Sequence, residues 1–378
     1  MLNANLLGCG TFYRALWFGR VCARNGHQVT LCTVSRDRRW TRSTTVESNL
    51  TVSAGPNWGY YCMPGYGSNW LDIAWRWHEI RSADYDILYA FEYHPNVAWP
   101  VYAGRRSSQL LLSDWCDWYA GAANVFKGSS LAHAWDRRRE ERIRLKADRV
   151  SVISTPLYER ARSLGIPAER LARIPEGIDS DYMKPFPVST ARARLGIDPD
   201  AVLVAALNDG AAFPHLVDAF ARVHQRLPGT RLLFVGAPSQ AQRRLIDSRG
   251  LTPLFHATGR CSDEELPLFL SAADVFALPM ESSVANTARF PHKIGDYLAC
   301  GRALAVTNVG DYPALLKQAD AALVADSLDS FPDALFSLVN DAEQRRYYAQ
   351  RGRAWVQQNL DWRVLEPAIL TFVRGTSS

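Results

Sequence analysis

The stretch Asn286-Thr-Ala-Arg-Phe-Pro-His-Lys-Ile-Gly-Asp-Tyr-Leu-Ala-Cys-Gly-Arg302 places two cations, an amide and a carboxylate around the start of one short predicted helix. Pro291 suits the first helical position, because the N–H that proline lacks has no partner there in any case. Ile294 and Leu298 lie one turn apart, so we expect them to face a core on the same side of the helix. The polar side chains then remain near the beginning of the helix and on its flank.

These polar side chains match the groups of a nucleoside diphosphate. A helix N-terminus attracts phosphate oxygens through its unpaired N–H groups. Arg289 and Lys293 would add two positive charges, and Asp296 could accept a hydrogen bond from a ribose hydroxyl. An ordinary amphipathic helix with solvated charges has the same spacing, so the stretch by itself leaves both interpretations open.

The segments on either side carry a resemblance to a known family. Upstream stands Thr258-Gly-Arg-Cys-Ser-Asp-Glu-Glu-Leu-Pro-Leu-Phe-Leu-Ser-Ala-Ala-Asp-Val-Phe-Ala-Leu-Pro279, and downstream stands Gly301-Arg-Ala-Leu-Ala-Val-Thr-Asn-Val-Gly-Asp311. Together they resemble the C-terminal half of the retaining GT-B glycosyltransferases of family 4, which use nucleotide sugars. The resemblance implies an α/β fold with two Rossmann-like domains facing a cleft, and a C-terminal helix that crosses back to the N-terminal domain.

The same resemblance assigns residues to the donor. Asp296 stands where the second glutamate of the family's paired-glutamate motif contacts the ribose, while Ala288 replaces the first glutamate. Some branches carry an Arg-Phe-Pro-x-Lys variant, and this chain looks like one of them. Asn286 or Glu281 could supply the polar contact that Ala288 cannot.

The usual phosphate-binding cations of the family are missing. An arginine and a lysine normally follow the first strand of the C-terminal domain, where this chain has Ala206 and Ala211. The diphosphate is therefore predicted to meet Arg289, Lys293 and Arg260, and Gly259 beside Arg260 is a further donor-binding candidate. We assign stabilisation of the leaving diphosphate, a catalytic role, to Arg289 and Lys293.

The segment Leu7-Gly-Cys-Gly-Thr-Phe-Tyr-Arg14 places glycines before a predicted helix. A dinucleotide fingerprint would need its third glycine at Tyr13, so we expect no nicotinamide cofactor. The segment resembles the Gly-rich loop of the family, where glycine permits close backbone approach. It predicts that Gly8 and Gly10 contact the donor and that Thr11 and Arg14 contact the acceptor. A purely structural turn is the alternative.

Two further predicted strands end in polar and aromatic loops, Phe91–Asn96 and Leu112–Tyr119. His94 and Asp114 are the catalytic candidates in these loops. Aromatic faces stack on the C–H surfaces of sugars and carboxylates bind hydroxyls. The second loop is therefore a candidate acceptor platform, and a buried aromatic cluster is the alternative. The acceptor residues predicted in it are Trp115, Asp117 and Trp118.

Short apolar runs alternate with helical patterns along the 378 residues, as is typical of α/β sheets. We expect an acceptor-side domain over residues 1–183, a nucleotide-sugar domain over 184–358 and the returning helix over 359–378. The predicted strands are Val29–Val34, Ile87–Phe91, Gln109–Ser113, Arg149–Ile153, Val202–Leu207, Arg231–Gly236, Asp274–Leu278, Ala303–Thr307 and Ala321–Ala325. The predicted helices include Phe12–Asn25, His215–Leu227, Asp263–Ala272 and Leu328–Val339, and two helices broken near Asn359-Leu-Asp361.

Composition limits the partners. The seven cysteines form no Cys-x-x-Cys pair, so neither zinc nor a disulfide framework is expected, and the family resemblance implies no essential metal. No apolar run reaches the length of a membrane span and the start has no signal-peptide pattern. These patterns predict a cytoplasmic protein, with peripheral contact at the inner face of a membrane left open.

Charge and tryptophan are concentrated in the first part of the chain. Residues 1–150 hold 19 Lys and Arg against 13 Asp and Glu, and ten of the twelve tryptophans lie at or before Trp135. The basic run Asp136–Lys146 is interleaved with acids at helical spacing, which indicates a solvated face rather than a nucleic-acid or membrane surface. No apolar insertion face is evident. The pattern therefore slightly favours a soluble polyhydroxylated or glycan acceptor over a lipid-linked sugar.

The resemblance thus implies a metal-independent hexosyltransferase that takes a sugar from an NDP-sugar co-substrate and retains the anomeric configuration. It indicates neither the base, sugar and acceptor nor the oligomeric state. A sugar-nucleotide epimerase of the same architecture is one alternative. A non-catalytic nucleotide- or carbohydrate-binding subunit is another, and the alanines at positions 206, 211 and 288 are what that alternative predicts.

Overall fold

The computed structural model describes residues 1–37, 40–57, 69–119, 130–207, 210 and 212–375. By its internal contacts the chain divides into two units, one formed by Met1–Pro175 with Leu365–Ser378 and the other by Glu176–Val364. None of the helices in these ranges is long and apolar enough to cross a membrane.

The first unit is built on an eight-stranded sheet. Buried, nearly continuous apolar runs form its central strands, as expected for parallel strands that are covered on both faces. The strand order is β3-β4-β2-β1-β5-β6-β7-β8, and every pairing is parallel except that of the edge strand β3 with β4. The strands are β1 Leu2–Leu6, β2 Val29–Val34, β3 Ser43–Glu47, β4 Leu50–Gly55, β5 Ile87–Phe91, β6 Leu110–Trp115, β7 Arg149–Val152 and β8 Leu171–Arg173.

Five helices connect these strands. Asn69 caps one of them by accepting hydrogen bonds from Leu71 N and Asp72 N, and Ser154 caps another by accepting from Leu157 N. The helices are α1 Phe12–Arg24, α2 Trp70–Ser82, α3 Pro95–Gly104, α4 Ser130–Lys146 and α5 Thr155–Ser163.

The second unit has a six-stranded sheet that is parallel throughout, with the order β11-β10-β9-β12-β13-β14. The first strand along the chain, β9, lies in the middle, so the order reverses between β9 and β12. Parallel sheets of this kind bind ligands beyond the carboxyl ends of the strands at such a reversal. The strands are β9 Val202–Leu207, β10 Thr230–Val235, β11 Phe255–Ala257, β12 Val275–Leu278, β13 Ala303–Thr307 and β14 Leu323–Ala325.

The helices of the second unit pack on both faces of this sheet. A fully buried cluster that includes Phe213, Phe220, Phe234 and Leu335 fills one side. The helices are α6 Val188–Leu195, α7 Phe213–Arg226, α8 Gln240–Ser248, α9 Leu266–Leu270, α10 Val284–Ala288, α11 His292–Ala299, α12 Asp311–Gln318, α13 Phe331–Asn340, α14 Ala342–Asn359 and α15 Trp362–Arg374.

The last helix, α15, begins in the second unit and ends in the first. Its buried residues recur at helical spacing, as the sequence predicts for a docking face: Trp362, Leu365, Ile369 and Phe372. The ring of Phe372 lies 5.8 Å from that of Tyr89, and Arg149 donates to the Phe372 carbonyl at 2.6 Å. Trp362 instead packs over Gly177 of the second unit.

The predicted elements agree with the structure to within a few residues, including the break between α14 and α15. One helix is shorter than the predicted span Asp263–Ala272. Its first residues form a turn in which Ser262 and Glu265 exchange backbone-to-side-chain hydrogen bonds. The boundary between the units lies between Pro175 and Glu176, whereas the sequence pattern predicts it at 183. Within the predicted final segment 359–378, residues up to Val364 belong to the second unit and residues from Leu365 onward to the first.

Candidate functional site

In the second unit, the beginning of α11 is fixed at the carboxyl end of β9. The Lys293 Nζ donates to the Leu207 carbonyl at 3.2 Å, and the Tyr297 hydroxyl accepts from the Leu207 N–H at 2.8 Å. The Tyr297 ring stacks on Phe276 of β12 with the centroids 3.8 Å apart. The start of this helix therefore lies where the strand order reverses, the position that favours a ligand in parallel sheets.

The N-terminus of α11 has no capping side chain. Pro291 is its N-cap rather than its first helical residue, and the helix begins at His292, which corrects the predicted register by one position. Ile294 and Leu298 are both fully buried, as predicted. An eight-residue helix with an uncapped positive end is suited to phosphate oxygens.

His292 lies between two carboxylates. Its Nδ1 is 3.5 Å from Oε1 of Glu176, and its Nε2 is 3.4 Å from Oδ1 of Asp296. The imidazole is 45% exposed, whereas the two carboxylate side chains are only 10% and 4% exposed. His292 therefore links the residue predicted for the ribose to the segment that enters the second unit.

The charges of this group act on one another. Burial lowers the pKa of His292, but the carboxylates of Asp296 and Glu176 outweigh it and raise that pKa to about 9. Burial raises the pKa of Asp296, and the neighbouring His292 partly offsets this. His292 is thus an imidazolium at neutral pH, beside Lys293 at the same helix end.

Arg289 and Asn286 lie just before α11. Arg289 is half-buried and follows the last residue of α10, and its buried Nε has no hydrogen-bond partner among the described residues. The Asn286 side chain donates to the Glu281 carbonyl at 2.8 Å. A β-carbon at Gly310 would approach the carbonyl oxygen of Thr287 to 3.0 Å, so the loop after β13 packs closely on this segment. The segment that carries Arg289 is therefore held by backbone contacts.

The remaining donor candidates of the second unit lie at the end of β11. Gly259 has a left-handed φ of +74° and Arg260 is exposed. Ala206, where the family has a cation, is fully buried in β9. Ala211 lies outside the described residues. The structure thus brings Asn286, Arg289, Lys293 and Asp296 together on one segment, whereas Gly259 and Arg260 follow another strand.

In the first unit, side chains of strand β1 hold the glycine loop Leu7–Thr11 through hydrogen bonds. The Thr11 hydroxyl accepts from the side-chain amides of Asn3 and Asn5 at 2.8 and 2.5 Å. Gly8 and Gly10 have φ of +70° and +54°, which favour glycine, and a β-carbon at Gly10 would meet Asn5 at 3.1 Å. The turn geometry and the closeness of Asn5 are enough to explain why glycine stands at both positions. The Thr11 hydroxyl already accepts two hydrogen bonds within the unit.

Arg14 and Asp114 bind each other inside the first unit. The Arg14 Nε and Nη2 donate to the two Asp114 oxygens at 2.9 and 3.0 Å, and Nη2 and Nη1 also donate to the Ile174 and Pro175 carbonyls. The side chains are 1% and 0% exposed. This geometry argues against the predicted catalytic role of Asp114 and acceptor role of Arg14, because both oxygens of Asp114 accept from Arg14 and the guanidinium donates to groups within the unit.

The two tryptophans of the predicted platform differ. Trp115 is fully buried and donates from Nε1 to Glu140 at 3.0 Å, so it offers no face to a sugar. Trp118 is half-buried, with Arg160 5.4 Å from its ring. The neighbouring Asp117, also half-buried, accepts from the Tyr119 hydroxyl at 3.3 Å. Trp115 thus belongs to a buried aromatic cluster, which was the alternative. Of the three predicted platform residues, Asp117 and Trp118 are accessible to a ligand.

His94 is a buried residue before α3. It is 8% exposed and stacks on Tyr93 with the ring centroids 4.8 Å apart. Burial, with the positive charges of Arg139 and Arg144, lowers its pKa to about 3. A neutral imidazole of so low a pKa is a weak base, which argues against the predicted catalytic role.

Glu92 is a polar residue that the sequence analysis missed. It is fully buried, has a left-handed φ of +78° and accepts from the Cys116 thiol at 2.8 Å. Burial raises its pKa to about 8, an effect that Arg144 only partly offsets. Its side chain lies with Cys116 and Asp117 so that one potential ligand atom from each falls within 4.8 Å of the others. Its position directly after the predicted strand Ile87–Phe91 is the signal in the sequence that indicates a functional acid.

Two known families match the chain, one in each half. Residues 15–182 match the family described as Glycosyltransferase Family 4, and residues 198–341 match that described as Glycosyl transferases group 1. A relative is the GDP-mannose-dependent alpha-(1-6)-phosphatidylinositol monomannoside mannosyltransferase of Mycobacterium tuberculosis, 29% identical over 238 residues. The match covers 60% of this chain and spans 62% of the length of that relative.

Solved structures share the fold of both units. The sucrose-phosphate synthase of Thermosynechococcus elongatus superposes with a TM-score of 0.76 at 18% identity, covering 98% of this chain and 94% of that one. HepE from Anabaena, in complex with UDP-glucose, superposes with a TM-score of 0.71 at 17% identity and covers 99% of each chain. The fold is thus that of the GT-B enzymes.

Proposed function

We propose that this chain, which is built from two glycosyltransferase domains in the GT-B fold, transfers a sugar from a nucleoside-diphosphate sugar to an acceptor hydroxyl. The observation that carries the proposal is the uncapped start of α11, with Lys293 and Arg289 beside it at the carboxyl end of the central strand β9. That end of a parallel sheet, at the reversal of strand order, is where such folds bind nucleotides.

The donor is held by its diphosphate and its ribose. Lys293, the half-buried Arg289 and the N–H groups of the helix supply positive charge to the phosphate oxygens. Asp296 accepts a hydrogen bond from a ribose hydroxyl, and His292 holds its carboxylate in place. Because Ala206 stands where the family usually has a cation, Arg289, Lys293 and the start of α11 must neutralise most of the diphosphate charge.

The chemistry requires a stabilised leaving group. The bond between the anomeric carbon and the diphosphate oxygen breaks through an oxocarbenium-like transition state. The acceptor hydroxyl forms the new bond to that carbon, and its proton passes to the departing diphosphate. Arg289 and Lys293 stabilise the charge that develops on the diphosphate, which is the largest single contribution in reactions of this kind. We propose retention of configuration and independence of a metal ion.

The acceptor is proposed to bind the first unit and to carry sugar or other hydroxyl groups. Trp118 and Asp117 are the candidates that keep access there. The mycobacterial relative is named for a mannosylated phosphatidylinositol acceptor and for GDP-mannose, and the Anabaena protein was solved with UDP-glucose. These names define the first compounds to test, GDP- and UDP-sugars with glycan or glycolipid acceptors.

A thermal-shift screen with UDP, GDP, ADP and TDP, followed by transfer assays with the matching sugar nucleotides, tests the proposal. A nucleotide present at 100 times its dissociation constant stabilises the fold by about 2.7 kcal/mol. We expect one nucleotide to raise the melting temperature and its sugar nucleotide to release free NDP when an acceptor is added. Conversion of the sugar nucleotide into its epimer, without net release of NDP, would favour the epimerase. Binding without any turnover across a broad acceptor panel would favour a non-catalytic subunit.

A further inference from the structure

Exposed apolar side chains are concentrated in the first unit. Twelve of the sixteen large hydrophobic side chains that are exposed among the described residues belong to it. Three of them are tryptophans on two neighbouring helices, with exposures of 56% for Trp70, 46% for Trp77 and 43% for Trp99. Indole rings at such exposure leave a large apolar area in water unless something covers them.

The outer face of α2 carries an apolar row along its first two turns, before His78 and Arg81. Trp70, Ala74 and Trp77 recur at helical spacing and are exposed, while Ile73 and Ile80 on the other face are buried. An ordinary surface helix places polar residues outward. Helix α2 thus has an apolar stripe on both its inner and its outer face.

Helix α3 extends this stripe. The rings of Trp70 and Trp99 lie 5.7 Å apart, and the Trp77 indole N–H donates to the Ala103 carbonyl at 3.4 Å. Trp99 and Tyr102 project from the outer face of α3, and Tyr102 is 37% exposed. The aromatic side chains of the two helices therefore form one continuous surface.

Helix α4 adds positive charge to the same surface. The Arg142 guanidinium and the Lys146 ammonium lie over the Tyr102 ring at 5.4 and 5.0 Å. Both basic residues are exposed. We call this surface the aromatic–basic face, which consists of Trp70, Trp77, Trp99, Tyr102, Arg142 and Lys146.

The acids of α4 point away from this face, contrary to the solvated pattern that the sequence suggests. Asp136 accepts from the Tyr93 hydroxyl at 2.7 Å. Glu140 is fully buried and accepts from Trp115, and Glu141 pairs with Arg160. The exposed row of α4 therefore contains no acid. Its residues, at spacings of three and four, are Leu131, Trp135, Arg138, Arg142 and Leu145.

We infer that the aromatic–basic face docks the first unit onto the surface of an anionic lipid bilayer. Tryptophan and tyrosine settle at the headgroup level of membranes, where an apolar ring and a polar N–H or O–H are both satisfied. Arginine and lysine beside them bind lipid phosphates and are attracted by the negative surface potential.

Vesicle sedimentation of the full chain tests this assignment. The probes are vesicles of phosphatidylcholine mixed with phosphatidylglycerol, and vesicles of phosphatidylcholine alone. We expect binding to the anionic vesicles at low salt, weakened by high salt because surface charge is screened. Trp70→Ala with Trp99→Ala, and separately Arg138→Glu with Arg142→Glu, should each weaken binding by about tenfold or more.

Matched variants on the second unit are the control. Arg346→Glu and Tyr347→Ala change an exposed cation and an exposed ring there, and should leave vesicle binding unchanged. Circular dichroism and melting curves establish that each variant is folded, and the arginine variants remain informative if the tryptophan variants are not. The inference is overturned if the wild type does not bind anionic vesicles, or if the control variants lose binding equally. It is also overturned if light scattering shows that this face joins two copies of the chain.

Discussion

The Arg14 guanidinium holds the Asp114 carboxylate through two contacts of 2.9 and 3.0 Å, and both side chains are buried. The pair joins helix α1 to the end of strand β6. Arg14 also donates to the Ile174 and Pro175 carbonyls, so it ties the beginning of the first unit to its last residues before Glu176. Two residues that the sequence marks as site candidates therefore hold the framework together.

Breaking this pair should destabilise the protein strongly. Asp114→Ala leaves a buried guanidinium without its anion, which costs about 3–5 kcal/mol. Chemical denaturation monitored by circular dichroism measures the loss. The control is Arg20→Ala, which removes a pair with Glu47 that is partly exposed and contributes at most about 1 kcal/mol. A folded, equally stable D114A variant that has lost only activity would return Asp114 to the list of catalytic candidates.

Removing the cations beside α11 should weaken nucleotide binding. Charge-assisted contacts to phosphate contribute about 1.5–3 kcal/mol each. Lys293→Ala and Arg289→Ala should therefore each raise the dissociation constant of the preferred NDP about tenfold to a hundredfold by calorimetry. Arg243→Ala on helix α8 of the same unit is the control, with unchanged affinity expected. Unchanged affinity in both test variants would place the diphosphate elsewhere.

Asp296→Asn should impair use of the donor without unfolding the chain. A carboxylate accepts a ribose hydroxyl more strongly than an amide does, so the variant keeps the shape and loses the charge. We expect a higher KM for the sugar nucleotide, with the affinity for inorganic diphosphate little changed. Kinetics equal to those of the wild type would show that another group contacts the ribose.

The His292 imidazolium makes stability depend on pH. Its pKa in the fold is about 9, above the ordinary 6.5, because Asp296 and Glu176 face it. Its contribution is therefore fully present below about pH 6.5 and is lost as the pH rises through about 9. Denaturation midpoints of wild type and His292→Gln should diverge at pH 6 and converge above pH 9. Lys293 also acts on Asp296, so Lys293→Ala is compared at the same pH values. Parallel curves for wild type and H292Q would refute the assignment.

A side chain at Gly177 should displace Trp362. A β-carbon there would lie 2.4–2.7 Å from the indole ring, and Trp362 is 1% exposed, so the ring has nowhere to move without cost. Gly177→Ala should destabilise the protein by about 1–3 kcal/mol. Gly229→Ala, where no atom lies within 4 Å of the added carbon, is the matched control. Equal melting temperatures of G177A and G229A would contradict this packing.

The strands that the sequence predicts well are those with continuous apolar runs. Val202–Leu207 and Ala303–Thr307 agree residue for residue, because a central parallel strand needs apolar side chains on both faces. The edge strand β3 has no such run, since four of its five residues are exposed. The three-residue strands β8 and β11 are too short to show a period, and only pairing with a neighbour defines them.

The donor segment could be read from sequence because its residues are close together in the chain. The contacts that decide the other candidates join distant residues, such as Arg14 with Asp114 or His292 with Glu176. Composition cannot tell a buried tryptophan such as Trp115 from an exposed one such as Trp70. The direction in which the acids of α4 point likewise depends on the strands beneath that helix.

The path of helix α15 has a consequence for the order in which the chain folds. The first unit includes residues from Leu365 onward, which are synthesised only after the whole of the second unit. Tyr89 and Arg149 both contact Phe372 of α15, and both are synthesised long before Phe372. While the second unit is synthesised, the surface of the first unit that α15 later covers is therefore exposed to solvent. The first unit therefore completes its folding only after the second unit has been synthesised.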